Sequence, residues 1–128
     1  MMDFVSVRVI TDDIKRLVRF YEEITGLSAT WSTDDFSELA TVTCTLAIGT
    51  KRTIEMFGMG AARAADNHTA IIEFRVGDVD KEYEKLGNVI RDFSGRRLNR
   101  GETGHCCFAT LTGIGCDRNI VRVFVSAY

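Results

Sequence analysis

Phe4 to Ile10 (FVSVRVI) alternates strictly, with Val5, Val7 and Val9 on one side and Ser6 and Arg8 on the other. A period of two belongs to a strand with one apolar face. The period then changes. Asp12 and Asp13 can cap a helix in which Ile14, Leu17, Val18, Tyr21 and Ile24 recur at three- and four-residue steps, and Gly26 supplies its stop. Trp31, Phe36 to Leu39, Cys44 to Ile48 and Arg52 to Phe57 read as short strands parted by Ser, Thr, Asp and Gly. The first half is therefore expected to be a βαβββ unit.

Gly58 to His68 (GMGAARAADNH) has no periodicity and reads as a linker loop. After it the opening pattern returns. Ile72, Phe74 and Val76 alternate with Glu73 and Arg75, and Asp78 is placed to cap a helix carrying Val79, Tyr83 and Leu86 on one face. VSVRVITDDIKRLVRFYE and IIEFRVGDVDKEYEKL place strand, Asp cap and amphipathic helix at the same offsets, an internal duplication. Strands at Val89 to Phe93, His105 to Leu111 and Ile120 to Val125 would make the second half βαβββ as well.

Composition narrows this without redirecting it. A chain of 128 residues, 45% hydrophobic and 27% charged, is sized and balanced for a globular domain with its own core. The net charge of -2 lacks the basic excess of a nucleic-acid surface, and no apolar run approaches the ~20 residues of a membrane span. The opening MMDFVSVRVI has no charged, apolar and small-residue succession of a secretory leader. Cys44, Cys106, Cys107 and Cys116 form no CxxC, and the expectation is a cytoplasmic protein with idle thiols. There is no proline beside 11 glycines, where average usage would place about six, so the turns rest on Gly, Asp and Thr.

The candidate chemistry follows from the alternation. If Val5, Val7, Val9 and Ile72, Phe74, Val76 pack under the helices, then Ser6, Arg8, Glu73 and Arg75 face away from them, joined by Thr53, Glu55 and Phe57. Two readings stand. Arg8, Glu55, Glu73 and Arg75 can compensate one another across strands, or they can orient a small molecule. Trp31 sits in the polar stretch SATWSTDDF, where a ring can stack on a flat ligand, anchor a dimer contact or close the core. Candidate ligand-binding residues are Arg8, Trp31, Phe36, Glu55, Phe57 and Glu73. No nucleophile elbow, Cys–His pair or phosphate loop occurs; Glu55 alone is a weak candidate for general-base work.

The tandem order of these units, with FYEEITGL closing the first helix, AIGTKRTIEMFG before the linker and AIIEFRVGDVDKEYEKL opening the second half, resembles the vicinal-oxygen-chelate superfamily. That superfamily includes glyoxalase I, bleomycin-resistance proteins and extradiol dioxygenases. The resemblance runs to about residue 93. It implies an α+β fold of two tandem βαβββ modules forming curved mixed sheets around a cleft, with helices on the outer faces, as a homodimer. Module one would be 1–57, the linker 58–69 and module two 70–128.

Metal-dependent members hold a divalent ion with His, Gln or Glu, and the corresponding positions here fall on Ser6, Glu55 and Ile71. Only Glu55 is a strong donor, and neither His68 nor His105 lies in a ligand spacing. No metal and no cofactor is therefore expected. The favoured reading is a metal-independent protein that sequesters or carries a small planar or aromatic compound, as metal-free relatives of the bleomycin-resistance type do between aromatic side chains. The competing readings are a metal-dependent lyase, isomerase or dioxygenase using Glu55, and a module whose cleft is filled by its own side chains.

One segment departs from the resemblance. Where the family usually carries a DPDGN turn, this chain reads NRGETGHCCFATLTGIGCDRN. Synonymous codons exist for Asn99 to Ile114 such that reading one base earlier spells PWGNRSLLFRDPDGN. The stretch is thus expected to be a frame-shifted form of the usual text, and no family site residue is carried onto it.

Overall fold

A computed structural model describes residues 1–58, 60–66, 70–78, 81–82, 84–88, 108–112 and 120–124, the last two segments by backbone alone. The chain forms two compact units, Met1–Ala65 and Asp66–Tyr128.

In the first unit, β1 (Ser6–Thr11) leads into α1 (Ile14–Thr25), followed by β2 (Thr30–Thr33), β3 (Phe36–Ala40) and β4 (Thr45–Thr50). The sheet order is β1-β4-β3-β2, with β1 parallel to β4 and the other neighbours antiparallel. The expected helix signals are all in use. Asp13 Oδ1 accepts the Arg16 amide at 3.1 Å, and Gly26 ends the helix at φ 72° while its amide donates to the Glu22 carbonyl at 2.9 Å. Asp13 is itself held, its amide donating to Thr11 Oγ1 at 3.0 Å.

The sheet register sorts side chains into two faces. Val9, Ile48, Ser37 and Trp31 form one row, and Val7, Leu46 and Leu39 the next on the same face. Here α1 packs on β3 and β4, burying its Ile14, Val18, Tyr21 and Ile24 together with Leu39, Leu46 and Ile48. Phe20 is also buried, edge-on to Tyr21 with 5.3 Å between ring centroids, whereas Leu17 of the expected stripe is half-buried. The fully buried polar side chain here, Ser37, donates its hydroxyl to the Thr30 carbonyl at 3.2 Å. Val9 is half-buried, but Val7 and Val5 are 40% and 70% exposed, contrary to their expected burial. The reason is position: β1 is an edge strand, so its outer end has β4 on one side and no strand of this sheet on the other.

A larger correction concerns Arg52 to Phe57, whose alternation reads as a strand. Lys51–Phe57 is a 3₁₀ segment. Beyond Thr50 both neighbours of β4 have run out, because β1 ends at Thr11 and β3 begins at Phe36. A continuing strand would leave its amides and carbonyls unpaired, and local bonds replace the ladder. Asp35 fixes the turning point. Its carbonyl accepts the Thr50 amide at 3.0 Å, its Oδ1 accepts the Thr50 hydroxyl at 2.7 Å, and Arg52 lies 3.9 Å from its Oδ2. The Thr53 hydroxyl then donates back to the Thr50 carbonyl at 2.8 Å.

In the second unit, β5 (Ile71–Arg75), β6 (Phe108–Thr112) and β7 (Ile120–Phe124) form a sheet in the order β5-β7-β6. Ile72 and Phe74 are half-buried and Ile71, Glu73 and Arg75 exposed, the alternation expected of β5. Asp78 Oδ1 accepts the Lys81 amide at 3.2 Å, residues 81–82 and 84–88 are helical, and Leu86 is buried. Strict duplication fails in the pairing. β5 is antiparallel to β7, whereas β1 is parallel to β4. The expected strand at Val89 to Phe93, and Val79 and Tyr83 of the helix face, lie outside the described residues.

Candidate ligand site on the open face of the first sheet

The face of the first sheet turned away from α1 has small residues along its middle strand. Arg8, Ala47 and Glu38 form one row; Ile10, Gly49 and Phe36 form the next. Because β4 contributes only a methyl at Ala47 and a hydrogen at Gly49, the Arg8 side chain can cross it. Its guanidinium carbon lies 4.8 Å from the centroid of the Phe36 ring on β3. That is a cation–π distance. Ala47 beneath is 2% exposed, while Arg8 is exposed and Phe36 and Glu38 are half-buried.

The 3₁₀ segment closes one end of this face. A Cβ placed on Gly49 would stand 2.6 Å from Thr53 Oγ1, so Thr53 rests directly on the glycine. The segment leaves Glu55, Met56 and Phe57 exposed, with Phe57 at 63%.

Among the sequence-derived candidates, Arg8 and Phe36 are therefore in contact on one face. Trp31 shares its row with Ser37 and Ile48 on the helix-covered face, at edge strand β2, where it is 42% exposed. Glu55 and Phe57 sit on the 3₁₀ segment instead of a strand. Glu73 belongs to the second unit, where it stands opposite Arg122 in the β5–β7 register, a placement of opposite charges. Arg8 takes part in no such compensation, since no ion pair or hydrogen bond involves its side chain among the described residues.

Glu38 is the residue the sequence reading passed over. Its carboxylate likewise has no ion pair or hydrogen bond among the described residues, and it shares a face with Phe36 two positions earlier. The alternation of FSELA was the available signal.

Of the positions where the resemblance expects metal ligands, Ser6 lies on the open face, Glu55 on the 3₁₀ segment and Ile71 in the other unit, and only Glu55 carries a strong donor. Among the described residues no three His, Cys, Asp or Glu come together, whereas a fixed divalent ion needs three or four ligands. His68 and His105 lie outside the described residues. Cys44 is a free, half-buried thiol, and the other three cysteines lie outside the described residues. No helix among the described residues is long and apolar enough to cross a membrane.

The sequence profile of the glyoxalase/bleomycin resistance protein/dioxygenase superfamily matches residues 3–88, more than half of the chain. The chain belongs to that superfamily. The match covers the first unit and the start of the second, and stops short of the divergent stretch at 99–114. Solved structures agree on the fold. A glyoxalase/bleomycin resistance protein/dioxygenase family enzyme from Burkholderia phytofirmans PsJN is similar at 19% identity, with 84% of each chain covered and a TM-score of 0.58. Virulence protein STM3117 from Salmonella typhimurium is similar at 15% identity over 95% of this chain and 94% of its own, with a TM-score of 0.55. No curated protein matches. Among the described residues, the β1-β4-β3-β2 sheet with its helix on one face makes up a whole βαβββ-type unit up to β4.

Proposed function

We propose that this superfamily member is a metal-independent, cytoplasmic binding protein that sequesters or carries a small planar or aromatic compound on the open face of its first sheet. The observation that carries the reading is the Arg8–Phe36 contact across Ala47 and Gly49. Small residues, a ring and a guanidinium with no ion pair among the described residues combine apolar area with a few orienting polar groups, as ligand sites do. Of the positions where the resemblance expects metal ligands, only Glu55 is a strong donor beside Ser6 and Ile71, which favours binding without a metal over metal-assisted chemistry at Glu55.

A homodimer fits the same reading. Phe4 and Val5, just before β1, and Val7 on it are exposed, and β1 is an edge strand of the described sheet, so apolar side chains there can meet a second copy.

The test is amide chemical-shift mapping of the full chain against a panel of small aromatic compounds, with and without a chelator. Shifts are expected at Arg8, Phe36, Glu38, Ala47 and Gly49 and should persist in chelator. Binding that maps elsewhere, or that disappears on chelation and returns with a divalent ion, overturns the reading. Light scattering should give the mass of two 14.3 kDa chains, and a monomer would remove the dimer.

A further inference from the structure

The open face presents two opposite charges in one register row, Arg8 on β1 and Glu38 on β3, with only the methyl of Ala47 between them. Two strand spacings separate their backbones, about 10 Å. Charges so placed commonly neutralise each other, and here they do not. No ion pair joins them, and Arg8 is turned onto the Phe36 ring. A cation–π contact uses up no hydrogen-bond donor, and no hydrogen bond among the described residues engages the Arg8 side chain, so its N–H groups remain available for a carboxylate. Glu38 is half-buried without a partner among the described residues, a partly desolvated carboxylate that a cation would satisfy.

These two groups discriminate by sign. A simple anion drawn to Arg8 meets the repulsion of Glu38, and a simple cation drawn to Glu38 meets that of Arg8. Only a molecule carrying both charges is attracted by both. We infer that the ligand of this face is a small zwitterion, its carboxylate on the Arg8 guanidinium and its ammonium on Glu38, with its apolar body beside the half-buried Phe36. The inference rests on the reading of the open face as a ligand site and names the chemical class that site selects.

The experiment titrates the isotope-labelled full chain with L-phenylalanine, its N-acetyl derivative and its methyl ester, which carry both charges, the negative one and the positive one. An uncharged aromatic amide is included as a control. Charge-assisted hydrogen bonds predict that the zwitterion binds about tenfold more tightly than either singly charged compound. Arg8→Gln should erase the advantage over the ester, and Glu38→Gln the advantage over the N-acetyl compound. Both side chains lie at the surface or half-buried, and matching thermal melts will show that the variants fold.

Equal affinity for all three charged compounds, or a preference that survives both substitutions, overturns the inference. If only the uncharged amide moves the amides of β1, β3 and β4, the zwitterion fails and the ligand site stands. If no compound moves them, both fail.

Discussion

On the helix-covered face of β4, Leu46 and Ile48 are 7% and 0% exposed beneath α1; the alternate positions, Ala47 and Gly49, present a methyl and a hydrogen to the other face. Large apolar residues on one side give α1 a surface to dehydrate. Small residues on the other leave room for Arg8 to reach across the strand to Phe36. On β4, the side under α1 thus carries the large buried side chains, and the other side carries the space over which Arg8 meets Phe36. The two are separable by mutation because alternate residues of a strand point to opposite sides.

The largest effect should come from the covered face. Ile48→Ala removes a fully buried side chain and should cost about 2–5 kcal/mol by denaturant unfolding. The folded fraction should keep its ligand preference. A loss under 1 kcal/mol would mean that α1 and β4 are not the core that burial indicates.

Gly49 comes next, because it bears on the boundary between the faces. Gly49→Ala drives a Cβ against Thr53 Oγ1 and should cost about 1–3 kcal/mol, the overpacking range. In Gly49→Ala/Thr53→Ala the obstructing hydroxyl is gone, and the double variant should be more stable than the sum of the two single losses. Strict additivity would show that Thr53 does not rest on Gly49 in solution.

The smallest stability change belongs to the open face. Arg8→Ala removes the exposed side chain that reaches across β4 to Phe36. It should lower stability by no more than about the 0.5–1 kcal/mol of an exposed cation–π contact, while removing ligand-induced shifts at Phe36 and Glu38. A large loss of stability from this change would break the separation of the faces.

The two halves of the chain show how far the sequence could be read. Both Asp caps are where the duplicated pattern places them, Asp13 accepting the Arg16 amide and Asp78 the Lys81 amide, each three residues on. Such contacts are local and need only the right residue at a fixed offset. Strand pairing is not local. β1 and β4 are joined by the intervening helix and two strands into a parallel pair, whereas β5 meets β7 antiparallel. The superfamily match ends at residue 88, ahead of that departure. Sequencing the gene across codons 99–114 should reveal the overlapping text; codons incompatible with PWGNRSLLFRDPDGN would sink the frame-shift explanation.

At the site, Arg8 and Phe36 were legible as candidates from alternation and residue type. Their contact was not, since it depends on the register of two strands that each pair with β4. Trp31 drew attention as the sole tryptophan, but the register places it on the α1 side. Arg52 to Phe57 carried a strand's alternation and formed a 3₁₀ segment, because a strand also needs a neighbour and none continues past Thr50.

The sequence by itself determined what depends on near neighbours in the chain: the alternation of β1 and β5, the apolar stripe of α1, its Asp13 cap and its Gly26 stop. Tertiary structure alone decided that Arg8 lies on Phe36, that Glu38 shares its row across Ala47, and that the chain turns at Thr50. Each of these requires strands distant in sequence to be aligned, and local preference carries no information about the partner's register.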